Sequence, residues 1–227
     1  MIWAGIQKTS TIDYPGVLSC VLFSAGCDLN CFYCHNRDII HEVKNTISED
    51  EIMSFLNKRK GLLDGVVVTG GEPTIQPDLS DFIKTLKSMR YKVKLDSNGQ
   101  HANVVKNLLD ENLLDYVAID IKALPEDYES VCDVNGFDKL KETLEVLSNA
   151  NVKYEVRTTL YPTMTIKDLK KLFGLLPSMP LWRLNFYNMP EVYDDSELER
   201  LQAKALNKIN IDDSILELKA LQPNLVY

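Results

Sequence analysis

Residues 18–37 read LSCVLFSAGCDLNCFYCHNR, and they decide how the rest of the chain is read. The run Cys20-Val21-Leu22-Phe23 is apolar and β-prone. It leads into a loop carrying Cys27, Cys31 and Cys34 as Cys-x3-Cys-x2-Cys, with Tyr33 directly before the last thiol. That order predicts a buried strand whose C-terminal end carries three thiols. A cluster of four irons and four sulfides held by three cysteines keeps one iron without a protein ligand, open to a small molecule. Structural zinc, which takes four ligands, is the alternative, with Cys20 or His35 as the fourth. Disulfides suit thiols this close on one short loop less well.

Outward from this strand, short apolar runs alternate with amphipathic helical patterns, the signature of a parallel sheet covered by helices. Strands are predicted near 17–24, 66–68, 91–96, 116–119, 152–159 and 181–186. Between them, Ser48 and Glu51 stand in capping-box spacing ahead of a helix over 48–59. Further helices are predicted through Leu79 to Leu86, Val104 to Leu109, Leu140 to Leu147, near 165–176, and from about Ser196 to Leu206. Residues 122–136, rich in Glu, Asp and Tyr, read as the one long loop. A complete eightfold barrel takes about 250 residues. Six units therefore predict an α/β fold, a partial (β/α)6 barrel open on one side, formed by one domain over residues 1–227.

Composition excludes several classes. Forty-five per cent of the 227 residues are hydrophobic, which excludes disorder. A net charge of -8 argues against a nucleic-acid face, which needs clustered Lys and Arg. No apolar run reaches the length of a membrane span, and MIWAGIQKTST has no basic segment leading into an apolar one. The expectation is a cytoplasmic protein without membrane or nucleic-acid partners. Five cysteines fit a reducing compartment, with Cys20 and Cys132 as ordinary free thiols.

In such folds functional groups collect at the C-terminal ends of the strands. Thr69-Gly70-Gly71-Glu72-Pro73 follows the second predicted strand, Asp96-Ser97-Asn98-Gly99 the third, and Asp120-Ile121-Lys122 the fourth. Taken singly, these motifs also read as a turn, an Asn-Gly loop and a strand-end ion pair. Arg157, on the fifth strand, reads equally as a fixed cation for a ligand or as a salt bridge to Glu155 or a nearby carboxylate.

Taken together, these motifs resemble the radical S-adenosylmethionine enzymes. CFYCHNRD, residues 31–38, is most similar to the branch that activates glycyl-radical enzymes. GIQKTSTIDYPGVLSCVLFSAGC, residues 5–27, resembles the anaerobic ribonucleoside-triphosphate reductase activating subgroup. The resemblance implies one 4Fe-4S cluster on Cys27, Cys31 and Cys34, and S-adenosyl-L-methionine as the molecule on the open iron. It further implies Gly70, Gly71 and Glu72 at the methionine amino group, and Asp96, Ser97 and Asp120 at the ribose, the methionine end or a monovalent cation completed by the Ala118 carbonyl. Lys122 would offset the methionine carboxylate, Arg157 would serve as a second cation, and Tyr33 and His35 would lie near the adenine, His35 through its backbone. No side chain acts as a catalytic acid or base.

The implied partners are a glycyl-radical enzyme, an anaerobic ribonucleotide reductase in this subgroup, and a flavodoxin or ferredoxin as electron donor. A pyruvate formate-lyase type of target or a small-molecule substrate is the alternative within the same chemistry, and a zinc-binding interaction protein the alternative outside it. Two departures bear on this. Ser97 stands where the family motif has Thr. The histidine-rich late motif of pyruvate formate-lyase activators is replaced by Trp182-Arg183-Leu184-Asn185-Phe186.

Overall fold

The computed structural model describes residues 1–40, 43 and 45–227. Its strands are β1 (Trp3–Ser10), β2 (Ser19–Ser24), β3 (Gly65–Gly70), β4 (Lys92–Ser97), β5 (Tyr116–Asp120), β6 (Lys153–Leu160), β7 (Trp182–Phe186) and β8 (Leu225–Val226). The α-helices are α1 (Arg37–Ile40), α2 (Glu49–Arg59), α3 (Leu79–Ser88), α4 (Ala102–Asp110), α5 (Tyr128–Cys132), α6 (Phe137–Ser148), α7 (Ile166–Leu175), α8 (Leu198–Leu201) and α9 (Lys208–Leu221). Strand order follows chain order from β1 to β8, so the sheet is open, as six strand-helix units imply. The chain divides into two compact units, Met1–Asp28, Asp38–Ala118 and Lys139–Lys153 in the first, and Leu29–Arg37, Ile119–Asp138 and Tyr154–Tyr227 in the second.

In the first unit, β2, β3 and β4 are parallel, with Cys20 opposite Val66 and Val66 opposite Val93. Val66, Val67 and Val68 are fully buried, the apolar run of a strand covered on both faces. The Ser48 hydroxyl accepts from the Glu51 N–H while the Glu51 carboxylate accepts from the Ser48 N–H, so the expected capping box starts α2. Phe82, Ile83 and Leu86 bury one face of α3. In the second unit β6, β7 and β8 are parallel. Trp182 of β7 is fully buried against Phe173 of α7, and its indole N–H donates to Thr158 Oγ1 at 3.1 Å. This anchors the strand pair from which Arg157 and Arg183 project.

All six expected strands are present. Two further strands were not expected: β1, antiparallel to β2, and the short β8. The helix expected from Ser196 to Leu206 is only a 3-10 turn, Asp195–Glu197, and the short α8. Residues 122–136 are not a plain loop, because they contain a 3-10 turn at Pro125–Asp127 and α5. Among the described residues, no helix is long and apolar enough to cross a membrane.

Candidate active site

Within the first unit, Cys27 follows β2 through Gly26, whose φ of +84° is left-handed. The Gly71 N–H donates to the Ser24 carbonyl and the Glu72 N–H to the Gly26 carbonyl, both at 2.8 Å. A Cβ on Gly71 would stand 1.9 Å from Gly26 O, and one on Gly70 2.3 Å from Ser24 N. The two glycines therefore let the end of β3 lie directly on the backbone that leads into Cys27. Their smallness serves a chain-to-chain approach that fixes where the first thiol emerges.

Glu72 is completely buried, and its carboxylate is occupied by protein donors. Oε1 accepts from Thr74 N–H at 3.0 Å, Thr74 Oγ1 at 2.5 Å and Ser97 Oγ at 2.9 Å, and Oε2 accepts from Asn98 N–H at 2.7 Å. Burial pushes its pKa up, and these donors offset that rise only in part. Asn98, quoted in the sequence motif but given no role there, donates from Nδ2 to Asp28 Oδ1 at 2.7 Å and lies 3.9 Å from Cys27 Sγ. His101 Nε2 meets Asp28 Oδ2 at 3.0 Å. Asp96, nearly buried, pairs with the buried ammonium of Lys94 at 2.7 Å. Ala118 is fully buried on β5. Asn98, Asp28, His101 and Lys94 are the neighbours that sequence reasoning did not find. The Asn-Gly turn signal pointed to a loop there, not to a side chain reaching the cysteine.

Within the second unit, the middle of the cysteine loop is fastened to the end of α5. Asn30 N–H donates to Cys132 O at 3.0 Å and Phe32 N–H to Val131 O at 3.1 Å. Asn30 Nδ2 donates to Asp133 Oδ2 at 2.6 Å. Cys31 is buried, and its sulfur lies 3.3 Å from that of Cys132. The Cys132 contact first, and burial second, raise the Cys31 thiol pKa well above its ordinary value. Cys34 N–H donates to Cys31 O at 3.0 Å, closing a turn between the second and third thiols, and Cys34 is half-buried.

Tyr33 is buried and stacks on Tyr161, centroids 5.2 Å apart and planes 9° from parallel, with Phe32 edge-on to both rings. Its hydroxyl donates to the Lys122 carbonyl at 3.3 Å. Asp120 holds the two predicted cations together, Arg157 Nε at 2.8 Å from Oδ1 and Lys122 Nζ at 3.0 Å from Oδ2. Burial alone would raise the Asp120 pKa; Arg157 and Lys122 outweigh it and hold the carboxyl well below the usual range. Arg157 thus pairs with Asp120, while Glu155 takes Arg183 at 3.2 Å. The His35 side chain is exposed.

All five cysteines are reduced. Cys20, the alternative fourth zinc ligand, is fully buried inside β2, its thiol pKa pushed up to about 12 by burial. Among the described residues, no three His, Cys, Asp or Glu side chains converge as ligands of a single ion. A cluster asks for a different arrangement, since each thiolate takes a separate iron. Three thiols on one short loop, none in a disulfide and two of them half-exposed, are a donor set that fits it.

The Radical SAM superfamily model matches residues 21–176, and the chain belongs to this superfamily. A Methanocaldococcus jannaschii protein provisionally named a glycyl-radical enzyme activating enzyme is 32% identical over 213 residues, covering 91% of this chain and 88% of that protein. Within the superfamily the chain is accordingly an enzyme of the glycyl-radical enzyme activating family. The pyruvate formate-lyase-activating enzyme of Clostridium pasteurianum is 26% identical over 227 residues, covering 95% of this chain and 90% of its own. Among solved structures, anSMEcpe with bound AdoMet superposes with a TM-score of 0.64 at 15% identity, covering 89% of this chain and 60% of that one, which shows a shared fold. Membership implies one 4Fe-4S cluster and S-adenosyl-L-methionine as the groups the enzyme uses.

Proposed function

We propose that this enzyme activates an anaerobic ribonucleotide reductase by generating a radical on one of its glycines. The observation that carries the chemistry is the cysteine loop, which presents Cys27, Cys31 and Cys34 within eight residues and is braced by backbone hydrogen bonds from Asn30 and Phe32. Bound there, a reduced cluster would supply the single electron for reductive cleavage of S-adenosyl-L-methionine, the chemistry that lets the cofactor take a hydrogen atom from the target glycine.

The chain's own residues bind and orient. Cys27, Cys31 and Cys34 would hold the cluster. In the first unit, Gly70 and Gly71 offer backbone groups to the methionine amino group, and Glu72, filled by Thr74, Ser97 and Asn98, keeps that turn in shape. In the second unit, the Lys122–Asp120–Arg157 trio carries one net positive charge, matched to a carboxylate. Tyr33 offers a buried aromatic surface for the adenine, with the His35 backbone beside it. Lys94 already supplies Asp96 with a positive charge, so this reading needs no monovalent cation there. A flavodoxin or ferredoxin is the proposed electron donor. The reductase, as against pyruvate formate-lyase, is favoured by residues 5–27 and by Trp182–Phe186 in place of a histidine-rich segment.

The test is anaerobic. Reconstituted, reduced protein is given S-adenosyl-L-methionine with either an anaerobic ribonucleotide reductase or pyruvate formate-lyase. Products are read as 5′-deoxyadenosine and as the glycyl-radical signal in electron paramagnetic resonance. The expected result is cleavage that is lost in Cys31→Ala and a glycyl radical on the reductase alone. A radical on pyruvate formate-lyase alone would reassign the target.

A further inference from the structure

Cys132 touches a cluster ligand yet has no part in the proposed reaction. We propose that Cys31 and Cys132 form a reversible disulfide in the cluster-free protein, a modification site that withdraws Cys31 from the ligand set until it is reduced.

The geometry is already that of a pair. The sulfurs are 3.3 Å apart, and the backbones are joined on both sides, Asn30 to Cys132 and Phe32 to Val131. Arg200 fastens the same two segments, donating to Ser130 O at 2.8 Å and lying 3.7 Å over the Phe32 ring. A disulfide needs neighbouring backbones and side chains directed at one another, and both conditions are met before oxidation. Cys27 is placed differently, its sulfur beside the Asn98 amide. Only one of the three ligands is thus held against a thiol from outside the loop among the described contacts.

The oxidant is a peroxide, the product of oxygen that an oxygen-sensitive cluster meets. One thiol takes an oxygen atom from hydrogen peroxide, giving a sulfenic acid and water. The second sulfur then displaces that oxygen as a second water, and the S–S bond forms. The two thiols together lose two protons and two electrons, and the peroxide becomes two waters. A dithiol returns both thiols by exchange. The bridge stops Cys31 short of the irreversible sulfinic acid, so a chain that has lost its iron keeps a usable ligand.

This inference rests on the proposed function only in treating Cys31 as a ligand; the bridge itself does not. The experiment therefore uses cluster-free native protein, treated with excess hydrogen peroxide because a sulfinic acid consumes two peroxides where the bridge consumes one, alkylated, digested and mapped by mass spectrometry. The expected map joins the Cys31 and Cys132 peptides, lighter by two hydrogens, with Cys27 and Cys34 alkylated. Iron uptake should fall to background while the bridge stands and recover in full after dithiothreitol. In Cys132→Ala, Cys31 should pass to sulfinic acid and uptake should stay lost after dithiothreitol; Cys132→Ser gives the same reading if the alanine variant does not fold. A wild-type bridge from Cys31 to Cys27 or Cys34, or sulfinic acid at Cys31 equally in wild type and Cys132→Ala, overturns the proposal. Failure of the activase reading would appear separately, as no 5′-deoxyadenosine from well-loaded protein with an unchanged peptide map.

Discussion

Glu72 lies just past β3 and Asp120 is the last residue of β5, and the chain treats their charges in opposite ways. Glu72 is sealed among neutral donors from Thr74, Ser97 and Asn98, and its pKa rises. Asp120 is held between Arg157 and Lys122, and its pKa falls. The first arrangement spends every acceptor on the protein itself and is suited to fixing a turn. The second keeps three charged groups in contact with one positive charge in excess, and is suited to receiving an anionic ligand. Two carboxylates that look alike in sequence are thus satisfied by neutral donors in one place and by two cations in the other.

The sharpest way to break this contrast is Gly71→Ala. Its methyl would drive into the Gly26 carbonyl, and strain of this kind costs about 3 kcal/mol. The expected outcome is a lower unfolding midpoint and poor cluster loading, read by thermal denaturation and iron content. Normal loading would mean that the β3 end does not set the cysteine loop.

Asp120→Asn should do the reverse. The fold and iron content should survive, while S-adenosyl-L-methionine cleavage falls about a hundredfold through lost positioning of Lys122 and Arg157. Unchanged turnover would make the trio structural.

Glu72→Gln comes next. One carboxylate oxygen becomes an NH2 facing a donor, at a cost of about 1–3 kcal/mol for the buried donor left unmet. Denaturant unfolding should show that loss, with KM for S-adenosyl-L-methionine unmoved. A rise in KM would return Glu72 to the ligand contacts.

The smallest effect is a difference in pH slope. Asp120, with its folded pKa lowered, contributes stability that is full above the ordinary carboxylate value of about 4 and is lost as pH falls from there toward its own lowered pKa. Glu72, with its folded pKa raised, favours the folded state at low pH, a contribution lost as pH rises through that raised value. Stability profiles of Asp120→Asn and Glu72→Gln against wild type should therefore diverge with opposite sign. Parallel profiles would erase the distinction.

Strands β2, β3 and β5 were legible because burial on both faces forces continuous apolar runs such as Val66-Val67-Val68, while β6 and β7 showed partial alternation of buried and half-exposed residues. The edges were not. Strand β1 buries only Trp3 and Ser10 at its two ends, so no alternation marks it. Helix α9 buries Ile211 and Leu218 while leaving Ile209 and Leu216 well exposed, so its apolar residues trace no single stripe. The short α5 was hidden because Asp and Glu around it read as loop. At the site, the thiols stood out by spacing, and the strand-end motifs through their place after successive strands and their resemblance to a family pattern. The contacts of Lys94 with Asp96 and of Cys132 with Cys31 did not, because one is a residue that ordinarily faces water and the other a lone thiol 101 residues away.

The hydrogen bonds from Asn30 and Phe32 to Cys132 and Val131 also impose an order of events on biosynthesis. The ribosome makes the iron-binding thiols early, but the segment that braces them emerges only about a hundred residues later, and contacts this distant in sequence form late. A chain interrupted before residue 133 would consequently carry Cys27, Cys31 and Cys34 without the carbonyls that accept these hydrogen bonds.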